Sequence, residues 1–161
     1  MEMNSNVDSK LLKQTTMQDY IVRQSVTIKA EPQEVWDALT NPERTEHYFF
    51  NGKVYSDWKV GSDITFKGRI FLIKKYEMKG KILNIEPNKL LQYELKNESG
   101  KEASAGKSIV TDVLTYDKGM TTVTVSDNVG SGEGAEKRYK RSVKGWEKIL
   151  KGLKKEAEHK N

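Results

Sequence analysis

The chain has 161 residues, 28 Lys and Arg against 23 Asp and Glu, and a net charge of +5. That length suits one domain with a real core, and no apolar run approaches the roughly 20 residues of a membrane span. The absence of cysteine excludes disulfides, thiolate zinc sites and cysteine nucleophiles and suits a reducing cytoplasm, while the positive surplus mildly favours an acidic partner.

Residues 1–19 are read as a disordered leader, with a short helix through Leu11 and Leu12 as the alternative; "MEMNSNVDSKLLKQTT" carries no apolar signal region, so export is not expected. Residues 20–158 are read as one domain. In "YIVRQSVTIKA", Val22, Gln24, Val26 and Ile28 share one face, the period of a strand. In "EPQEVWDALTNPE", Pro32 suits a first helical turn and Val35, Trp36 and Leu39 form an apolar face. "TNP" stops that helix, and Asn41 is placed to cap a second one from Pro42. Strand alternation returns through Ile64 and Phe66, then Tyr76, Met78, Gly80 and Ile82, then Leu91, Tyr93 and Leu95. "NESGKEASAGK" is a polar loop; "SIVTDVLTY" and "MTTVTVSD" form a hairpin over "DKG". The order is a strand, two short helices, a meander of five or six strands and a long helix from about Ala135. Short connections pair strands antiparallel, and helices segregated at the ends of the sequence give the α+β class.

On the last helix Tyr139, Val143, Trp146, Leu150, Leu153 and Ala157 form one stripe, bordered by Ile149. Lys137, Lys140, Arg141, Lys144, Lys148, Lys151 and Lys155 take the opposite face. Gly145 and Gly152 lie nearly two turns apart at the stripe's margin. Each costs roughly 1 kcal/mol against alanine. Either they admit a close neighbour, expected to be the sheet or a ligand, or they are tolerated surface glycines.

This order, with "EVWDALTNPE", "SDWKVGSDITFKG", "KGKILNIEPNKLLQYEL" and "KGWEKILKGL", resembles the homologues of the activator of heat-shock protein 90 ATPase over about Tyr20 to Glu156. That family belongs to the START-like, helix-grip superfamily with the polyketide cyclases and the birch-pollen allergen. The resemblance implies a curved antiparallel sheet around the C-terminal helix, with a hydrophobic cavity between them that in relatives holds lipids, sterols or polyketides. By position it places Trp36, Tyr48, Phe50, Trp58, Phe66, Tyr93, Val143, Trp146 and Leu150 near that cavity. The segment "NPERTEHYFF" departs from the tryptophan usual where Tyr48 or Phe49 stands, which implies a reshaped mouth.

The aromatic stretch "EHYFFNGKVYSDW" lines an apolar pocket or packs the bend between helix and sheet. His47 has no patterned partner and forms no metal cluster with its neighbouring carboxylates. "GSGEG" lacks both phosphate-loop patterns, carries Glu133 where a phosphate would sit, and reads as a flexible linker. The basic helix face is diluted by Glu136, Glu147, Glu156 and Glu158 and lacks interleaved aromatics, so it reads as solvated rather than nucleic-acid binding. No G-x-S-x-G elbow occurs, and no cofactor or metal is expected.

These readings converge on a cytoplasmic module that binds an apolar, lipid-like or polyketide-like molecule. Tyr48, Tyr93, Tyr139 and Asp112 are the polar candidates; Trp36, Phe66, Trp146 and Leu150 form the apolar wall. Two alternatives stay open. One is a chaperone-interacting protein that stimulates the heat-shock protein 90 ATPase, although a lone domain lacks the extra N-terminal domain of eukaryotic activators. The other is a cyclase or hydratase using the same pocket, with His47, Tyr48 and Asp112 as the groups to probe.

Overall fold

The computed structural model describes residues 18–70, 74–96 and 107–159. The predicted leader and the polar loop "NESGKEASAGK" lie almost wholly outside the described residues. Strand β1 (Ile21–Ile28) leads into helices α1 (Pro32–Thr40) and α2 (Pro42–Tyr48). There follow β2 (Lys53–Ser56), β3 (Asp63–Ile70), β4 (Lys74–Glu86), β5 (Leu90–Lys96), β6 (Lys107–Asp117), β7 (Met120–Asn128) and α3 (Ala135–Glu158). The strands form one antiparallel sheet in the order β1-β7-β6-β5-β4-β3-β2. The helical excursion after β1 carries the chain to the far edge, and the meander returns strand by strand until β7 pairs with β1. The fold is the α+β helix-grip arrangement: an open curved sheet with a long C-terminal helix against it.

Asn41 serves both short helices. Its N–H donates to the Asp37 carbonyl at the end of α1, and its side chain accepts from the Glu43 N–H at 3.0 Å to start α2. Buried Thr45 ties α2 to the sheet: its hydroxyl accepts from the Val54 N–H of edge strand β2 at 3.2 Å. Strand alternation then builds the core. Ile64, Phe66, Ile82, Leu91, Tyr93, Val110, Leu114, Val123 and Val125 are all buried. Helix α3 answers with Trp146, Ile149, Leu150, Leu153 and Ala157, while its predicted lysine and arginine positions are exposed.

Of the two α3 glycines Gly152 admits a close neighbour, but it is α2 rather than the sheet, while Gly145 makes only an ordinary contact with the turn after α2. A Cβ on Gly152 would lie 2.5 Å from the Tyr48 Cβ; on Gly145 it would lie 3.6 Å from the Phe50 ring. The loop holding "GSGEG" is a clamp rather than a free linker. Arg138 reaches back from α3 and donates to the carbonyls of Val129, Glu133 and Ser131. The loop thus turns carbonyls inward where a phosphate cradle needs N–H groups. No described helix is long and apolar enough to cross a membrane.

Candidate functional site

The space between the sheet and α3 is almost filled. What remains is a cavity of about 20 Å³, room for one water molecule. Phe66, Leu91 and Tyr93 from the sheet bound it on one side and Trp146, Ile149, Leu150 and Leu153 from α3 on the other. Tyr48, Phe49 and Leu39 close it, and Phe49 is the filling piece. Its ring stacks on Phe66 at 4.4 Å and 18° and meets the Trp146 ring edge-on at 6.3 Å.

Local backbone explains how Phe49 gets there. Tyr48 ends α2, and the next residues leave the helix through left-handed conformations, φ 48° at Phe50 and 58° at Asn51. That reversal turns Phe49 inward and Phe50 outward against Gly145. The Tyr76 hydroxyl donates to the Phe49 and Phe50 carbonyls at 3.3 and 2.8 Å and holds the turn. Burial pushes that hydroxyl up to about 12.

Two carboxylates face this apolar interior. Asp112 on β6 and Asp127 on β7 are 4% and 5% exposed. In the register Val110 pairs with Asp127 and Asp112 with Val125, so the two are diagonal neighbours on one face. Asp127 Oδ2 accepts from Trp146 Nε1 at 2.9 Å and from Ser142 Oγ at 2.7 Å, while its Oδ1 has no partner among the described residues. Asp112 lines the cavity, and no hydrogen bond among the described residues reaches its carboxyl. Burial pushes Asp112 up to about 7, with the charge of Asp127 adding to the shift. Burial, then Asp112, also drives the Tyr93 and Tyr48 hydroxyls well above their ordinary value. The Tyr48 hydroxyl is engaged, donating to the Ala38 carbonyl at 2.7 Å.

Of the residues singled out in the sequence, Tyr48, Phe66, Tyr93, Asp112, Trp146 and Leu150 line this cavity. The other five stand elsewhere. Trp36 is half-buried on α1, packed against the core from outside the cavity. Phe50 is 44% exposed because the left-handed turn points it away. Tyr139 and Val143 sit too near the start of α3: the Tyr139 ring packs on Tyr20 at 5.8 Å, and the Val143 carbonyl accepts from Gln24. Trp58, also left-handed at φ 56°, lines a separate open groove of about 710 Å³ with Tyr55, Ser56, Asp57, Asp63 and Lys81. Phe49 was read only within the aromatic stretch, and Leu39, Ile64, Leu91, Ile149 and Leu153 only as apolar faces of their elements; the second carboxylate, Asp127, was not anticipated. Asp127 carries a readable signal, since it continues the inward register of Val123 and Val125.

His47 lies outside the interior, 64% exposed at its side chain, with Nδ1 2.9 Å from Glu156. Among the described residues no group of three or more His, Asp or Glu side chains is arranged to hold a metal ion. The chemistry of the chamber is therefore that of aromatic walls, one unengaged carboxyl and one tyrosine hydroxyl.

The comparisons with known proteins agree with the fold. The solution structure of protein ChR145 from Cytophaga hutchinsonii is 35% identical, with 84% of this chain and 91% of that chain covered and a TM-score of 0.65. A crystal structure from Mesorhizobium loti, protein MLL2253, is 22% identical over 88% of this chain and 98% of that one, with a TM-score of 0.74. The Aha1 dimer from Colwellia psychrerythraea is 19% identical over 86% and 96%, with a TM-score of 0.65. At such identities the last two share the fold alone. No curated protein matches the chain. The profile of the Activator of Hsp90 ATPase homolog 1-like proteins matches residues 29–158, and this chain belongs to that family, within the START-like superfamily.

Proposed function

We propose that this protein binds a small apolar molecule in the interior between the sheet and α3. Asp112 carries the reading. A buried carboxyl with no partner costs several kcal/mol, and a core built for stability alone would hold an apolar side chain there. The ligand enters at the expense of Phe49, because the present cavity of about 20 Å³ admits nothing larger than water. Phe49 suits that exchange: it sits on a turn after α2 rather than inside an element. The cysteine-free composition supports a reducing compartment such as the cytoplasm.

The test enlarges the chamber. Ethylbenzene is titrated into wild type and Phe49→Ala, and the Trp146 indole N–H is followed by NMR. The truncated variant should bind about tenfold more tightly, since it no longer has to expel a ring. If the indole resonance moves in neither protein, the interior is not a ligand site.

A second reading rests on the same near-complete filling. An interior without a tenant leaves the outer surface to act, and the exposed basic face of α3 suits an acidic partner such as a chaperone. An unchanged heat-shock protein 90 ATPase rate at saturating protein discards it.

A further inference from the structure

Resting on the binding reading above, we infer that the cavity seats the carbonyl oxygen of the ligand, held by two donors, the Asp112 carboxyl and the Tyr93 hydroxyl.

The hydrogen-bond inventory of the chamber leads there. The Tyr48 hydroxyl is spent on Ala38, and Trp146 and Ser142 are spent on Asp127. Among the described residues, Asp112 and Tyr93 are what remains unengaged at the cavity. Their placement is concerted. Leu91 pairs with Asp112 and Tyr93 with Val110, so the two side chains are diagonal neighbours on the inner face of β5 and β6. In that relation Cα atoms stand roughly 7–8 Å apart, within reach for a tyrosine. The space of about 20 Å³ that both of them line matches one oxygen atom, not a larger polar group. Phe66 and Trp146 flank it, so the body attached to that oxygen is apolar or aromatic.

Charge decides which kind of oxygen. Asp127 stands one strand away from Asp112, and both are buried. A ligand carboxylate would add a negative charge beside them without a counter-ion. Burial together with Asp127 keeps the proton on Asp112 up to about pH 7, and Tyr93 stays protonated well beyond that. Both groups then donate, and a neutral ketone, aldehyde, ester or amide oxygen is the acceptor that fits. A carboxylic acid held neutral so that it can donate beside a tyrosine is an established way to grip such an oxygen. The titratable groups around Asp112 are Tyr93 of β5, Asp127 of β7 and Tyr48 of α2; Arg44 of α2 and Glu156 of α3 act on Tyr48.

Three probes that share a skeleton test this: acetophenone, ethylbenzene and 1-phenylethylamine, each titrated into the full chain while the Trp146 indole N–H is monitored by NMR. At pH 5.5 acetophenone should bind about tenfold tighter than ethylbenzene. That advantage should fade as pH rises through about 7, where Asp112 loses its proton. Asp112→Asn keeps a neutral donor, so it should retain the preference for acetophenone and lose the pH dependence. Asp112→Ala and Tyr93→Phe should each remove most of the preference. Ethylbenzene binding as tightly as acetophenone, or the amine binding tightest at pH 8, overturns the carbonyl site and leaves the apolar pocket standing. No response to any probe from any variant removes the pocket and this inference together.

Discussion

Two polar clusters lie close to α3, and they are built on opposite terms. At the helix junction Arg44 of α2 reaches Glu34 and Asp37 of α1 at 3.2 and 2.9 Å and Glu156 of α3 at 3.2 Å, and it also donates to the Glu156 carbonyl at 3.0 Å. Burial alone would lower the Arg44 guanidinium, but hydrogen bonds to Asp37 and Glu156 and the nearby charges carry it above its ordinary value. Every group there is matched, and the cluster locks three helices. In the chamber no hydrogen bond among the described residues reaches the Asp112 carboxyl, and Asp127 is held through one oxygen only. A matched polar cluster accounts for itself as architecture; an unmatched one, held in an apolar core at a cost, points to something outside the chain.

The strongest way to break that contrast is Asp112→Asn. Asp112 ionises near pH 7 in the folded chain and near its ordinary 3.8 when unfolded. The unfolded state therefore gives up the proton first, and wild-type stability should fall as pH rises from about 4 to about 7, then level off. A shift of that size corresponds to a loss on the order of 4 kcal/mol. The Asn variant does not titrate, so it should match wild type near pH 4 and exceed it by about 2–4 kcal/mol at pH 8. Denaturant unfolding across this range reads the difference. Equal slopes for the two proteins would mean that Asp112 is matched after all, and the case for a site would go with it.

The junction side of the contrast is sharpened by its glycines. Gly152→Ala places a methyl group 2.5 Å from the Tyr48 Cβ, so α2 must move. The strain of overpacking, about 1–3 kcal/mol, exceeds the helix-propensity gain of roughly 1 kcal/mol. Thermal unfolding should show a net loss of up to about 2 kcal/mol. Gly145→Ala meets only the Phe50 ring at 3.6 Å, an ordinary contact, and should stabilise by up to about 1 kcal/mol. Opposite signs at two glycines of one helix would place the tight packing at Tyr48 rather than along the whole strip.

How much of this was legible depends on the length of the repeating pattern. The α3 stripe runs for over five turns, and Asn41 announces its cap by residue type alone. The element order was readable because strands and helices succeed each other at recognisable spacing, and the helix-grip arrangement came from the family resemblance those segments carry. Strand β2 was not singled out, since four residues carry too little alternation. The glycine pair was read as a clearance, but which neighbour used it depended on how α2 folds back. The chamber was half visible. Asp112 was named as a polar candidate by its type, and the structure shows that it interrupts the inward run between Val110 and Leu114. Phe49 could be read only as one of the aromatic stretch, because Tyr48, Phe49 and Phe50 look alike and only the left-handed turn sorts them. The same kind of turn carries Trp58 away to the outer groove.

The smallest predicted effect separates two partners of one carboxylate. Glu156 accepts from Arg44 through Oε1 and contacts His47 through Oε2 at 2.9 Å. On distance alone the two contacts look equal. The Arg44 side chain is 15% exposed and spans three helices, whereas His47 is 64% exposed and spans two. Solvent screening and side-chain entropy remove most of the value of such an exposed pair, but less from a half-buried network with several hydrogen bonds. Arg44→Ala should therefore cost about 1–2 kcal/mol and His47→Ala less than about 0.5 kcal/mol, read as shifts in denaturation midpoint. Adding 0.5 M salt should narrow the Arg44 effect only in part. If His47→Ala cost as much as Arg44→Ala, the junction would owe its cohesion to Glu156 itself, and exposure would not be what divides its two contacts.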